Sequence, residues 1–400
     1  MEPSLAEIVR EWGRIGCVGF GGPPAHIALL RELCVQRRRW LTEPQFERAI
    51  AATNLLPGPA STQLAIYCAW RLRGTAGAIV GGVCFILPGL VAILALSALF
   101  LAGSPPSWLR GAGAGAGAAV AAVAVRAGLD VARPGLARET GAGRRRALAY
   151  AGIGGLAAAL AGSWLVLVLL ACGAAELTRR TLARGGPRAG AWSALLWQLA
   201  HGRGVTGRWS ATAALLGAAA EPGGTPALVW TAFKVGALAF GGGFVIVPLM
   251  QADAVNTYHW MTHSQFLNAV ALGQVTPGPV THTVAVVGYA AGGLGGGLLA
   301  AFVAFLPSFS FILIGAARFE RLLVNERVLA FLGGAAPAAA GAIIGAAVPL
   351  ASGLGESWQL AILALAGVAL LGLRRGVVST LLLAGCAGAA VALLGGPLPH

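Results

Sequence analysis

Two segments of the chain place hydroxyls, an amide and an imidazole directly after a Pro-Gly-Pro break: N54-L-L-P-G-P-A-S-T-Q and Q274-V-T-P-G-P-V-T-H-T. Proline interrupts a helix by removing a donor and clashing with the preceding turn. A helix restarting after Pro57-Gly58-Pro59 therefore opens with Ser61, Thr62 and Gln63, and one restarting after Pro277-Gly278-Pro279 opens with Thr281, His282 and Thr283. Hydroxyls and unpaired N–H groups at a helix N-terminus suit an anion. Capping by the same Ser and Thr is the competing explanation, and the recurrence of the break favours the anion.

Two further features accompany the breaks. The motif F20-G-G recurs as F240-G-G-G, so Gly21 and Gly22, or Gly241 and Gly242, allow close approach of a helix or a ligand next to Phe20. Close helix packing alone would also explain the glycines. Lys234, the only lysine, stands six residues before the second glycine motif, as Arg14 stands six before the first. A cation inside an apolar segment is costly and commonly faces a polar pathway or a partner charge. The pair could thus coordinate an anion, or snorkel to the headgroups.

These residues need a membrane scaffold. Hydrophobic residues make up 57% of the 400 and charged residues 10%, and mean hydropathy is +0.77, which excludes a water-soluble domain. Residues 78–102, 111–129, 298–317, 328–350 and 376–395 are each of a length that spans a bilayer. Glu2, Glu7, Arg10, Glu11 and Arg14 interrupt the first twenty residues, so no removable signal is expected.

The chain repeats itself. Phe20, Trp40, Gln45, Phe46 and Pro57 match Phe240, Trp260, Gln265, Phe266 and Pro277, each 220 positions on, and L87-P88 matches L306-P307 at 219. Register held through separated motifs indicates duplication. The organisation expected is an N-terminal repeat (1–177), a basic Gly-rich linker (178–226) and a C-terminal repeat (227–400).

Loop charge orients the halves. Arg31, Arg37, Arg38, Arg39 and Arg48 lie between the first two motifs, whereas the matching stretch 251–266 has no Lys or Arg. After the next span the bias reverses, with Arg110 against Arg318, Arg321 and Arg327. The positive-inside rule then makes the halves inverted, antiparallel repeats. Arg48 and Arg71 flank both ends of residues 49–70, so each Pro-Gly-Pro is read as the tip of a re-entrant hairpin, a kinked spanning helix being the alternative. The fold expected is an all-α polytopic membrane protein with about ten spanning helices and two such hairpins.

Other chemistry is not indicated. The six cysteines lack C-x-x-C spacing, which argues against zinc and disulfides. The net charge of +14 sits in arginine clusters between apolar segments, so nucleic acid is not needed to explain it. No Walker motif, H-E-x-x-H or G-x-S-x-G occurs, so no ATP drive, cofactor or hydrolase is expected. G111-A-G-A-G-A-G suits helix packing rather than a dinucleotide. His26 and His282 are the histidines nearest the motifs and the candidates for proton carriage.

The set F20-G-G-P-P-A-H-I-A-L-L, R37-R-R-W-L, L56-P-G-P-A-S-T-Q-L-A-I and F85-I-L-P resembles the chromate ion transporter family, and F240-G-G-G-F-V-I-V-P-L-M, G273-Q-V-T-P-G-P-V and F305-L-P-S-F resemble its second domain. The resemblance implies a long-chain bacterial inner-membrane carrier that exports chromate and confers resistance, with sulfate as a related oxyanion. The lipid bilayer is its setting, and a homodimer is compatible with it. Carried over by position, the implied functional set is Phe20, Gly21, Gly22, Pro23, Asn54, Pro57, Gly58, Pro59, Ser61, Thr62, Gln63, Gly241, Gly242, Pro277, Gly278 and Pro279.

Overall fold

A computed structural model describes residues 3–101, 103, 105–160, 165–183, 223–239, 244–316, 319 and 324–399. Every regular element among them is helical. The first half carries α1 (Leu5–Val18), α2 (Pro23–Arg31), α3 (Glu43–Leu55), α4 (Ala60–Phe100), α5 (Ser107–Arg138), α6 (Gly141–Leu160) and α7 (Leu165–Ala183). The second carries α8 (Thr225–Leu238), α9 (Val247–Gln251), α10 (His263–Val275), α11 (Thr283–Gly315), α12 (Glu326–Gly345), α13 (Ala347–Ser352), α14 (Ser357–Gly367) and α15 (Val377–Leu393). Of the expected linker, residues 178–183 continue α7 and 184–222 lie outside the described residues, as do Arg318 and Arg321.

Backbone irregularities recur with the sequence repeat. After α2 and α9 the chain runs into π-turns, Glu32–Arg37 and Ala252–Thr257. Each is followed by a residue at positive φ, Arg39 at 51° and His259 at 53°. Thr42 and Thr262 then start α3 and α10 with capping boxes closed by Gln45 and Gln265. Finally α4 turns sharply at Arg73–Gly74 and α11 at Gly292–Gly293, where Gly74 and Gly293 sit at φ 58° and 62°.

These breaks decide what can cross a bilayer. Helix α3 has 13 residues, and the arm of α4 before Gly74 is equally short. At about 1.5 Å per residue each covers ~20 Å, less than the ~30 Å hydrocarbon core. The arm of α4 after Gly74 reaches ~39 Å. Pro57-Gly58-Pro59 therefore joins two half-length helices, and Pro277-Gly278-Pro279 joins α10 to the short arm of α11 in the same way.

F20-G-G departs from the expected placement within an apolar segment. Helix α1 ends at Gly19, the chain reverses through Gly21 and Gly22 at φ 98° and 75°, and α2 begins at Pro23. Both α1 and α2 are short, so the first half contains two pairs of half-length helices. Long helices follow in both halves, and 60–100, 107–137, 280–315 and 326–352 are long and apolar enough to span.

Glycine lets the helices meet backbone to backbone. A Cβ at Gly16 of α1 would lie 2.7 Å from the Phe85 carbonyl, and one at Gly236 of α8 would lie 2.0 Å from that of Ala304. Gly111 and Gly115 of α5 meet the Gly388 and Ala384 carbonyls of α15, so the Gly/Ala run packs helices. In membranes such close contact, rather than hydrophobic exclusion, holds helices together.

Ion pairs fasten the first helix pair of each half with opposite polarity. Glu11 of α1, buried, accepts from Arg37 and, at 2.7 Å, from Arg38 beyond α2. In the second half Lys234 of α8 donates to Asp253 in the π-turn, and Thr231, the counterpart of Glu11, donates to the same carboxylate at 2.8 Å. Acid and base have exchanged helices between the repeats.

Two stability measurements check this packing. Gly236→Ala, which forces a methyl into the Ala304 carbonyl, should cost about 1–3 kcal/mol. Gly13→Ala, with nothing within 4 Å of the new Cβ, should leave the melting temperature in detergent unchanged or slightly raised. Lys234→Ala should cost ~3–5 kcal/mol by stranding Asp253, and Lys234→Met with Asp253→Leu should recover most of it; equal melting of all three proteins would rule the clamp out.

Candidate functional site

The Pro-Gly-Pro turns require glycine, since Gly58 sits at φ 123° and Gly278 at 90°. Pro59 and Pro279 precede the new helices and supply no side-chain cap. Gln63 reaches back to donate to the Pro57 carbonyl at 2.7 Å, which pairs one group freed by the break. Thr283, its counterpart, instead donates to the Val280 carbonyl three residues back at 2.8 Å.

Each break packs on the long helix of the other half. A Cβ at Gly89, beyond the kink of α4, would lie 2.1 Å from the Pro277 carbonyl and 2.7 Å from His282 Cε1. One at Gly58 would lie 3.3 Å from Ser308 Oγ on α11. Gly89 and Ser308 are themselves counterparts at the 219 offset, so the two turns exchange partners symmetrically.

One hydrogen-bonded chain ties these motifs together. The Gly278 N–H donates to the Gly19 carbonyl at 2.9 Å. The same carbonyl lies 2.9 Å from His26 Nε2, while His26 Nδ1 lies 3.1 Å from Ser61 Oγ. A carbonyl only accepts, so the proton of neutral His26 sits on Nε2 and Ser61 donates to Nδ1. Phe85 meets the His26 ring edge-on at 5.1 Å, and Phe305 meets His282 at 5.3 Å.

Around this chain the polar groups are incompletely paired. Among the described residues, nine buried side-chain N or O atoms lack a hydrogen-bond partner. Seven belong to the breaks and their surroundings: Thr62 Oγ1, Gln63 Oε1, Gln274 Nε2, Thr281 Oγ1, both nitrogens of His282, and Ser308 Oγ. Their side chains are at most 6% exposed as residues. An unpaired buried polar atom costs ~1–3 kcal/mol, and their concentration in one place makes this the candidate site for a polar guest. The other two, on Gln251 and Asn268, lie away from the breaks.

A cavity of about 180 Å³ opens beside this cluster, lined by Gly21, Gly22, Gln274, Val280, Arg126 and Asp130 among others. Arg126, on α5, donates to Asp130 at 2.8 Å and to the Leu370 carbonyl at 2.7 Å. It is the cation that lines this cavity, and the sequence reading passed over it inside the apolar run 111–129. A lone arginine in such a run was the available signal. Ser308 carried no signal beyond its place after L306-P307.

The expected cations Arg14 and Lys234 keep other company. Arg14 is exposed and shares a shallow groove with Glu11, Glu32 and Arg37. Lys234 is held by Asp253, over the Trp230 ring at 5.8 Å. Phe20 is 43% exposed and Asn54 is exposed as well, whereas Ser61, Thr62, Gln63, Gln274, Thr281, His282 and Thr283 are buried together. Gly241 and Gly242 lie outside the described residues.

Comparison with known proteins agrees with this arrangement of two halves. A sequence model of the chromate transporter family matches residues 6–177 and 226–393. A chromate transport protein of Cupriavidus metallidurans is 31% identical over 405 aligned residues, which cover 99% of this chain and 94% of that protein. Another, from Pseudomonas aeruginosa, is 31% identical over 363 residues, covering 87% of this chain and 81% of its own. No solved structure matches. The resemblance carried by the F-G-G and Pro-Gly-Pro motifs is thereby borne out over both halves, and the chain belongs to the chromate transporter family.

Proposed function

We propose that this chain is a secondary carrier that moves chromate out of the cytoplasm across a bacterial inner membrane, binding the oxyanion between the two Pro-Gly-Pro breaks near mid-membrane. The observation that carries the reading is the buried cluster of unpaired polar atoms on Thr62, Gln274, Thr281, His282 and Ser308. Hydroxyl, amide and imidazole N–H groups can all donate to a tetrahedral dianion. Gln63 Oε1 only accepts, so its part is to orient a hydroxyl or a water. Arg126 draws the anion into the adjoining cavity, while Arg14 and Lys234 act outside the binding shell.

The halves are inverted repeats. Arg31, Arg37, Arg38, Arg39, Arg48, Arg71 and Arg73 mark one face for the first half, and the stretch 251–266 carries none. The short helix pairs are re-entrant, entering from the cytoplasm in the first half and from outside in the second. Among the described residues two helices per half are long and apolar enough to cross, 60–100 and 107–137 in the first and 280–315 and 326–352 in the second. The inside-negative potential favours outward movement of an anion, by about 2.3 kcal/mol per charge per 100 mV. Sulfate, a tetrahedral dianion of similar size, is the natural competitor.

Radiolabelled chromate flux into inverted vesicles tests the reading. Thr62→Val, Thr281→Val and Ser308→Ala should each raise the apparent KM roughly 10- to 100-fold, the loss of one hydrogen bond to a charged ligand. Arg14→Ala should leave it within about twofold, and energised wild-type vesicles that take up no chromate would sink the assignment. Maleimide labelling of single cysteines at 39 and 259 should mark them from opposite faces; labelling from the same face would end the inverted arrangement.

A further inference from the structure

Of the titratable groups gathered at the breaks, His282 is the one whose ring nitrogens close no hydrogen bond of full geometry. Its ring is fully buried, and the Ile86 carbonyl of α4 faces it without closing a hydrogen bond of full geometry. His26 is already committed on both nitrogens, to Gly19 and Ser61. The remaining orphans belong to hydroxyls and amides, which do not titrate in this range.

The surroundings of His282 are neutral. Against it stand Gly89 of α4, Gly278 and Pro277 of its own break, and Phe305 of α11. His26 of α2 is the titratable group whose charge reaches the ring. Arg126 and Asp130 of α5 line the cavity beyond Gln274 and Val280, already paired with each other. On α1, Arg14 is exposed and Glu11 is bound to Arg37 and Arg38. A dianion entering here meets dipoles but no fixed charge inside the shell. Burying two negative charges against dipoles alone is costly, and a buried group takes up a proton when that neutralises its partner.

We infer that His282 is the proton-carrying ligand of the oxyanion: neutral in the empty site, it takes one proton from water as the dianion binds and gives it up on the far side when the dianion leaves. This inference rests on the proposed binding site. The balance is one proton and one dianion per crossing, so a net charge of −1 moves and no covalent bond is made or broken. A proton shared between imidazolium and guest is held better by a more basic oxyanion. Chromate is more basic than sulfate, and His282 thus favours chromate.

Purified wild-type protein in detergent tests this by calorimetric titration with chromate, at a pH where free chromate is entirely dianionic. Repeating the titration in two buffers of different ionisation enthalpy gives the protons taken up per anion. One proton per bound chromate is expected; binding with no proton uptake overturns the inference and leaves the carrier standing. In proteoliposomes containing a pH-sensitive dye, wild type should move protons with chromate. His282→Gln, which keeps an N–H donor but no titrating group, should move chromate without protons or lose both movements together. Proton movement that persists per chromate in His282→Gln assigns the proton to the substrate itself and overturns the inference. Failure of wild type to bind or carry chromate would bring down the proposed function and this inference with it.

Discussion

The carbonyl of Gly19 is where the two halves are joined. In hydrocarbon a freed backbone group must find a partner inside the protein, and this chain frees several by breaking helices at F-G-G and at Pro-Gly-Pro. Gly19 C=O receives the Gly278 N–H from one break and His26 from α2, and His26 in turn receives Ser61 from the other break. Four segments that would each, alone, leave a backbone or ring group unpaired satisfy one another. A substitution that disturbs any of them leaves an unpaired group in the other half, which explains why the breaks must be placed by long-range packing and not by local propensity.

That packing is reciprocal because it is duplicated. Each Pro-Gly-Pro sits on the long arm following the kink in the opposite repeat, at Gly89 or Ser308. The reciprocity is not perfect, and the imperfection is chemical: glycine at 89 makes room for the His282 ring, while serine at 308 faces Gly58 with an unpaired hydroxyl. The first break contributes Ser61, Thr62 and Gln63, and the second Thr281, His282 and Thr283. One scaffold drawn twice thereby gives two different sets of donors around one centre.

Much of this could be read from the residues because the constraints are local and repeated. Pro-Gly-Pro within apolar sequence has few solutions, and the long helices fall close to the apolar stretches 78–102, 111–129 and 328–350. The Gly111–Gly117 run showed its packing role by composition. F20-G-G was less transparent, since glycine in an apolar run signals either close packing or reversal, and only the length of α1 separates them. The kinks at Arg73–Gly74 and Gly292–Gly293 hid for a similar reason, as glycine is frequent in membrane helices. Lys234 is a different case. Its counterpart Arg14 suggested a shared ligand, yet its partner Asp253 lies 19 positions away on another element, a distance no spacing rule spans. Arg126 was masked by the alanines and valines around it.

The opposite polarity of the two clamps goes with the different loop charge of the two halves. In the first half the anchoring acid is on α1 and the arginines lie beyond α2, where they add to the basic loop 31–48. In the second half a basic residue at the end of α9 would carry positive charge into the stretch 251–266, which has none. Moving the cation to Lys234 on α8 and the acid to Asp253 keeps the fastening and removes the positive charge from that loop. Arg37, Arg38 and Lys234 are thus engaged by acids, and the breaks themselves carry neutral donors. For the carrier proposed above, neutral donors are what release requires, because a guest must be held well enough to enter and loosely enough to leave, and fixed positive charges around a dianion would defeat the second requirement.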